Sequence, residues 1–200
     1  MINSDNRMNF IINDFNNELL RKDLTKLSLG FWDGKMGLCL YFSMQYKYTN
    51  NEFFLKKAHQ MIEDVYDTLL TSNDVSVHNE LPFIGIGLIN LLETKVFEGN
   101  PNIILKEIDD KLFAKMSMGM IKYDSANFMW NLWTTIYFCK RIANKNLSQN
   151  DKELFSKLVI YSINDLNNHF TKILYSEPTT FSPFGYSLFM YLHLLILIYD

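Results

Sequence analysis

The chain is short of the residue patterns that most chemistry needs. It holds only two cysteines and four prolines, and no Cys-X-X-Cys pair or Cys-His dipeptide occurs anywhere in it. Cys39 and Cys139 stand alone inside apolar runs (GLCLYF and IYFCKR), which excludes a sequence-local zinc or dithiol motif and makes both expected core thiols. His59, His78, His169 and His193 show no metal-ligand spacing either. No Gly-Lys-Ser/Thr step follows a strand-like run, so the glycines do not form a phosphate loop. Lysine and arginine are scattered and the net charge is only -3, which leaves no footprint for nucleic acid. The start, MINSDNRMNFIINDF, lacks the basic stretch and apolar run of a signal peptide, and a cytoplasmic location is the expectation. Charged residues make up 20% of the chain, too many for a membrane bundle, so no membrane partner is expected.

What remains is helical periodicity in abundance. Between Asp5 and Lys26 the apolar positions Met8, Ile11, Ile12, Phe15, Leu19 and Leu20 mark an amphipathic covering helix within residues 1–28. The stretch LGFWDGKMGLCL then opens a run to Thr49 that is apolar nearly all round and predicts a buried helix, ending at Asn50 and Asn51. Glu52 to Leu70 predicts an amphipathic partner, with Phe53, Phe54, Ala58, Met61, Ile62, Val65, Tyr66 and Leu69 on its stripe. After an expected loop from Thr71 to Glu80 the pattern repeats. Leu81 to Leu92, with Gly85 and Gly87, predicts a second buried helix, and Asn102 to Phe113, capped by Asn100 and opened by Pro101, its partner. A third pair covers Ser125 to Ile142 and Ser148 to Phe170, with Ser148 or Asn150 as cap.

A fourth opening at Phe181 to Gly185 leads into an uncharged run ending at Tyr199. That run approaches membrane-span length, but its likeness to the earlier buried helices and the interruption at His193 favour another inner helix. The unit openings near Gly34, Gly85, Asn127 and Gly185 recur at irregular intervals of roughly 40 to 60 residues, the signature of stacked helical hairpins. The expected fold is all-α: a single domain over 29–200 of about three and a half hairpins, closing as part of an α/α toroid.

On these residues the chain resembles the lanthionine synthetase C-like family, in its Bacteroidetes-type variant. The likeness lies in GFWDGKMGLCLYFSMQYKYTNNEFFLKKAHQMIEDVYDTLL, in LPFIGIGLINLLETKVFEGNPNIILKEIDDKLF and, more loosely, in EPTTFSPFGYSLFMYLHLL. It implies an α/α toroid of which these residues are the N-terminal half, and a role in peptide modification. It also implies, in longer relatives, a zinc held by one Cys and a Cys-His pair; this segment matches neither motif, so no cofactor is expected in it. Asp124, in KYDSANF, stands where the family carries an acidic residue near the metal and is the candidate catalytic position.

Trp32, Asp33 and Lys35, just ahead of the first inner helix, are candidate ligand contacts at the barrel mouth; the alternative makes Asp33 a helix cap and Trp32 a packing residue. A peptide or protein is the expected partner, with self-association through the exposed C-terminal helix as a further expectation. Two other readings compete: a noncatalytic helical-repeat interaction module, and a toroid glycosidase using Asp33 and Asp124. The acidic pairs Glu63-Asp64 and Asp109-Asp110 are expected on wet outer faces, and Trp130, Trp133 and Tyr137 in the core.

Overall fold

The computed structural model describes residues 4–31, 33–71, 75–117 and 125–175, with side chains from Ile12 onward except at 75–78, 125–127, 169–170 and 172–175. Among them every regular element is a helix: α1 (Ser4–Arg21), α2 (Lys35–Thr49), α3 (Glu52–Thr71), α4 (Val75–Glu93), α5 (Pro101–Ile104), α6 (Lys106–Ser117), α7 (Ser125–Ala143) and α8 (Gln149–Tyr175). The fold is all-α. No helix among these residues is long and apolar enough to cross a membrane. The fourth opening, its uncharged run and His193 lie outside the described residues.

Three hairpins stand side by side, α2 with α3, α4 with α5 and α6, and α7 with α8. Contacts fix their directions. Glu80, early in α4, lies against Gly30 just before α2, while Lys47 Nζ at the end of α2 donates to the Thr94 carbonyl just after α4 at 3.1 Å. Phe83 stacks near Trp133 at 5.3 Å, and Lys140 meets Glu93 at 3.7 Å, so α4 and α7 also run the same way. Tyr66 Oη donates to the Ile104 carbonyl and Lys111 Nζ to that of Leu69, which aligns α3 with α5 and α6. The result is an inner layer of parallel α2, α4 and α7 backed by outer helices. One continuous apolar core joins them, from Leu29 to Leu166.

The sequence explains most boundaries. Asn50 ends α2 in the left-handed conformation that Asn tolerates (φ 52°), with its N–H on the Tyr46 carbonyl at 2.7 Å. Asn100 Oδ1 accepts from the Asn102 N–H at 3.0 Å ahead of Pro101, and Ser148 Oγ from the Asp151 N–H at 3.1 Å while donating to that carboxylate. The small pair in α4 lets two neighbours approach. A Cβ at Gly85 would strike the Tyr137 ring of α7, and one at Gly87 the Met36 side chain of α2. Trp130 and Tyr137 are buried as expected.

Several expectations need correction. The segment Thr71 to Glu80 is not all loop, because α4 begins at Val75 and carries Pro82 in its interior. Proline removes its own N–H and crowds the carbonyl four residues back, and the preceding turns persist because burial of Leu81, Ile84 and Leu88 outweighs that cost. The first helix ends at Arg21 rather than Lys26, since Asp23 Oδ1 takes the N–H and hydroxyl of Thr25 at 3.1 and 2.6 Å in a local turn. Its buried position is Asn16 instead of Phe15, which is half exposed with its ring edge on Tyr41. The partner of α4 breaks at Leu105 into α5 and α6. In α2, Met44 and Tyr48 are 56% and 75% exposed, so this helix is an edge of the inner layer, buried on one side only.

Candidate functional site

The amino-terminal end of the inner layer is built by a backbone device. Three amides at the start of α2, which lie too early to have an intrahelical acceptor, are taken by carbonyls of the preceding loop: Lys35 N–H on Ser28 at 2.8 Å, Met36 on Leu29 at 3.2 Å and Gly37 on Gly30 at 3.3 Å. The loop therefore runs directly across the helix end. A Cβ at Gly34 or Gly37 would collide with its backbone, which is why small residues stand three apart there. The cap residue is Gly34 with no side-chain bond, so Asp33 is not the cap.

Freed from capping, Asp33 is exposed and accepts a long bond of 3.4 Å from Ser28 Oγ. Opposite it stands Glu80 from α4. Partial burial, and then the charge of Asp33, push the Glu80 carboxyl above its ordinary range. Among the described residues neither carboxylate enters an ion pair with lysine or arginine. This end of the inner layer thus carries two neighbouring carboxylates, of which Glu80 retains its proton to higher pH than a solvated glutamate. Glu80 was missed because its segment reads as a polar loop; the spacing Val77, Leu81, Ile84, Leu88 carries the α4 stripe one turn upstream of Pro82 and is the signal that finds it.

Lys35 does not join this pair. It is buried, and its Nζ reaches back to Asp64 Oδ2 of α3 at 3.1 Å, tying the first hairpin together. Trp32 and Asp124 lie outside the described residues, so the pairing of Asp33 with Asp124 does too.

The acidic residues expected on wet faces divide. Asp110 is exposed beside Lys106, whereas Asp109 is buried. Its carboxylate accepts from Tyr137 Oη at 2.6 Å, Arg141 Nε at 3.1 Å and Arg141 Nη2 at 2.7 Å, and Arg141 Nη1 donates to Asn102 Oδ1 at 3.2 Å. Burial pushes the Asp109 carboxyl up, against the pull of Arg141 and Tyr137. All its partners are structural, so it is a fastening between α6 and α7.

A zinc of the kind the resemblance implies finds no fitting ligands among the described residues. No three His, Cys, Asp or Glu side chains converge there, and Cys39 spends its hydrogen on the Ala58 carbonyl at 3.3 Å, with burial pushing the thiol up to about 12. His59 lies on the ring of Phe97 at 4.8 Å. Comparison with protein-family models, with curated proteins and with solved structures finds no match for this chain.

Proposed function

We propose that the chain is a degenerate or partial lanthionine synthetase C-like protein that binds a peptide at the mouth of an incomplete α/α toroid, without catalysing its cyclisation. The observation that carries this reading is the convergence of Asp33 and Glu80 at the amino-terminal end of a parallel inner layer, with no lysine or arginine paired to either among the described residues. An exposed carboxylate, Asp33, beside a partly buried one, Glu80, favours a cationic group, so the peptide presents a lysine, an arginine or its amino terminus there. The parallel inner helices and antiparallel outer ones support the toroid part of the reading.

The test is fluorescence anisotropy with labelled basic, neutral and acidic peptide pools. Basic peptides are expected to bind, and Asp33→Asn with Glu80→Gln together to weaken them by about tenfold, the scale of one charge-assisted contact. Equal binding of basic and acidic pools, or binding indifferent to both substitutions, overturns the proposal.

A further inference from the structure

At the other end of α2, remote from the acidic mouth, α1 and the turn into α3 enclose a groove of about 650 Å³. Among the described residues its lining contains no charged side chain, although one residue in five of the chain is charged. Carboxamides dominate instead: Asn13, Asn16 and Asn17 on α1 and Gln45 on α2, beside the rings of Tyr48 and Phe53. Two of these side chains are set up as hydrogen-bonding groups. Asn16 is 7% exposed and its Oδ1 is committed to Tyr41 Oη at 2.7 Å, so the group it can still offer is the donor Nδ2. Gln45 Oε1 is buried without a hydrogen-bond partner. A buried acceptor left in that state costs about 1–3 kcal/mol, and a protein retains one where something else is gained.

The lining selects its ligand by exclusion. A charged group would lose its hydration and find no counter-charge. A purely apolar ligand would leave Gln45 Oε1 unsatisfied and strip water from the other amides. A peptide strand would need a sheet edge, and every regular element among the described residues is a helix; the apolar lining is three rings, Tyr48, Phe53 and Phe54, with Ile12 and Leu20 beside them, and Tyr48 is 75% exposed. What fits is a neutral molecule carrying many hydroxyls, each able to donate and accept, with an apolar C–H face for a ring to cover. We propose that the groove between α1 and the first hairpin binds a neutral saccharide, with a hydroxyl donating to Gln45 Oε1, Asn16 Nδ2 donating to a sugar oxygen, and Tyr48 covering a sugar face.

The test uses the whole chain and isothermal titration with glucose and N-acetylglucosamine oligomers, sialylated oligosaccharides, and an uncharged peptide pool. At least one neutral oligomer is expected to bind and the sialylated ones not to. Gln45→Met, which removes the unsatisfied oxygen at similar volume, is expected to raise the melting midpoint while weakening binding about tenfold or more. Tyr48→Ala is expected to weaken binding and leave the midpoint unmoved. Asp33→Asn leaves saccharide binding unchanged, which separates this site from the acidic mouth. Failure of every neutral oligomer to bind, preference for the uncharged peptides, binding that survives both Gln45→Met and Tyr48→Ala, or a lowered midpoint in Gln45→Met overturns the proposal.

Discussion

The seam between α2 and α3 and the contact of α6 with α7 are held by opposite chemistry. Between α2 and α3 the contact is apolar: Cys39 meets Ala58, and Phe42 stacks on Phe54 at 6.3 Å. Its one ion pair, Lys35 with Asp64, sits at the rim where Asp64 is 38% exposed. Between α6 and α7 the centre is ionic, with Arg141 2% exposed and chelating Asp109 under the Tyr137 hydroxyl. Two residues join α2 to α3, so the turn sets that register and shape complementarity suffices. The α6 to α7 connection is longer, and a register that the chain does not enforce is specified by groups that tolerate only one alignment.

If that contrast is right, the largest effect belongs to the ionic seam. Asp109→Ala leaves Arg141 buried and uncompensated and is expected to cost about 3–5 kcal/mol, measured by chemical denaturation. Replacing the pair together, Asp109→Leu with Arg141→Met, is expected to recover most of that loss, because two apolar groups need no desolvation offset. A double variant as unstable as the single one breaks the comparison, since the network would then be held by packing alone.

A smaller effect sharpens it. Gly85 and Gly87 both admit a neighbouring side chain, but the Tyr137 ring is pinned through Asp109 whereas Met36 is a flexible thioether. Gly85→Ala is expected to destabilise by about 1–3 kcal/mol and Gly87→Ala by less, since Met36 can rotate away. Equal losses in thermal melts would show that the ionic seam imposes no more rigidity than the apolar one.

These seams were unequally legible in the sequence. The α3 stripe is a local period of a helix and is readable without any partner: of its expected positions Phe54, Ala58, Met61, Val65 and Leu69 are buried, while Phe53 at its edge is exposed. Asp109 looks like half of a solvated pair because charge in a sequence carries no sign of the guanidinium 32 residues away that neutralises it. The acidic mouth shows the same division. Asp33 was found from its place ahead of a helix, but Glu80 was hidden behind a proline that, as a local signal, opens helices more often than it interrupts them. Asn16 was overlooked because a polar residue on a covering helix reads as solvent-facing until Tyr41 and the groove give it a reason to be buried.

The smallest effect is a matter of protons. Cys39 lies in the apolar seam and burial pushes its thiol up to about 12; Cys139, on α7 and half-buried, is pushed up to about 11. Both fall well above the value of 9.0 for an unburied thiol. Because the folded state holds these protons more tightly than the unfolded one, their contribution to stability is complete below pH 9.0 and is lost progressively as pH rises through about 11 and then about 12. Melting midpoints are therefore expected to fall across that alkaline window, less steeply in Cys39→Ala. At a fixed mild pH the same difference appears as reactivity: in the native protein Cys139 is alkylated faster than Cys39, whose thiol is both pushed up further and less accessible. Mass spectrometry of the two tryptic peptides reads the ratio directly. Equal rates in the native state would mean that the seam between α2 and α3 opens as readily as the surface of α7, and the apolar hairpin would then be the looser of the two.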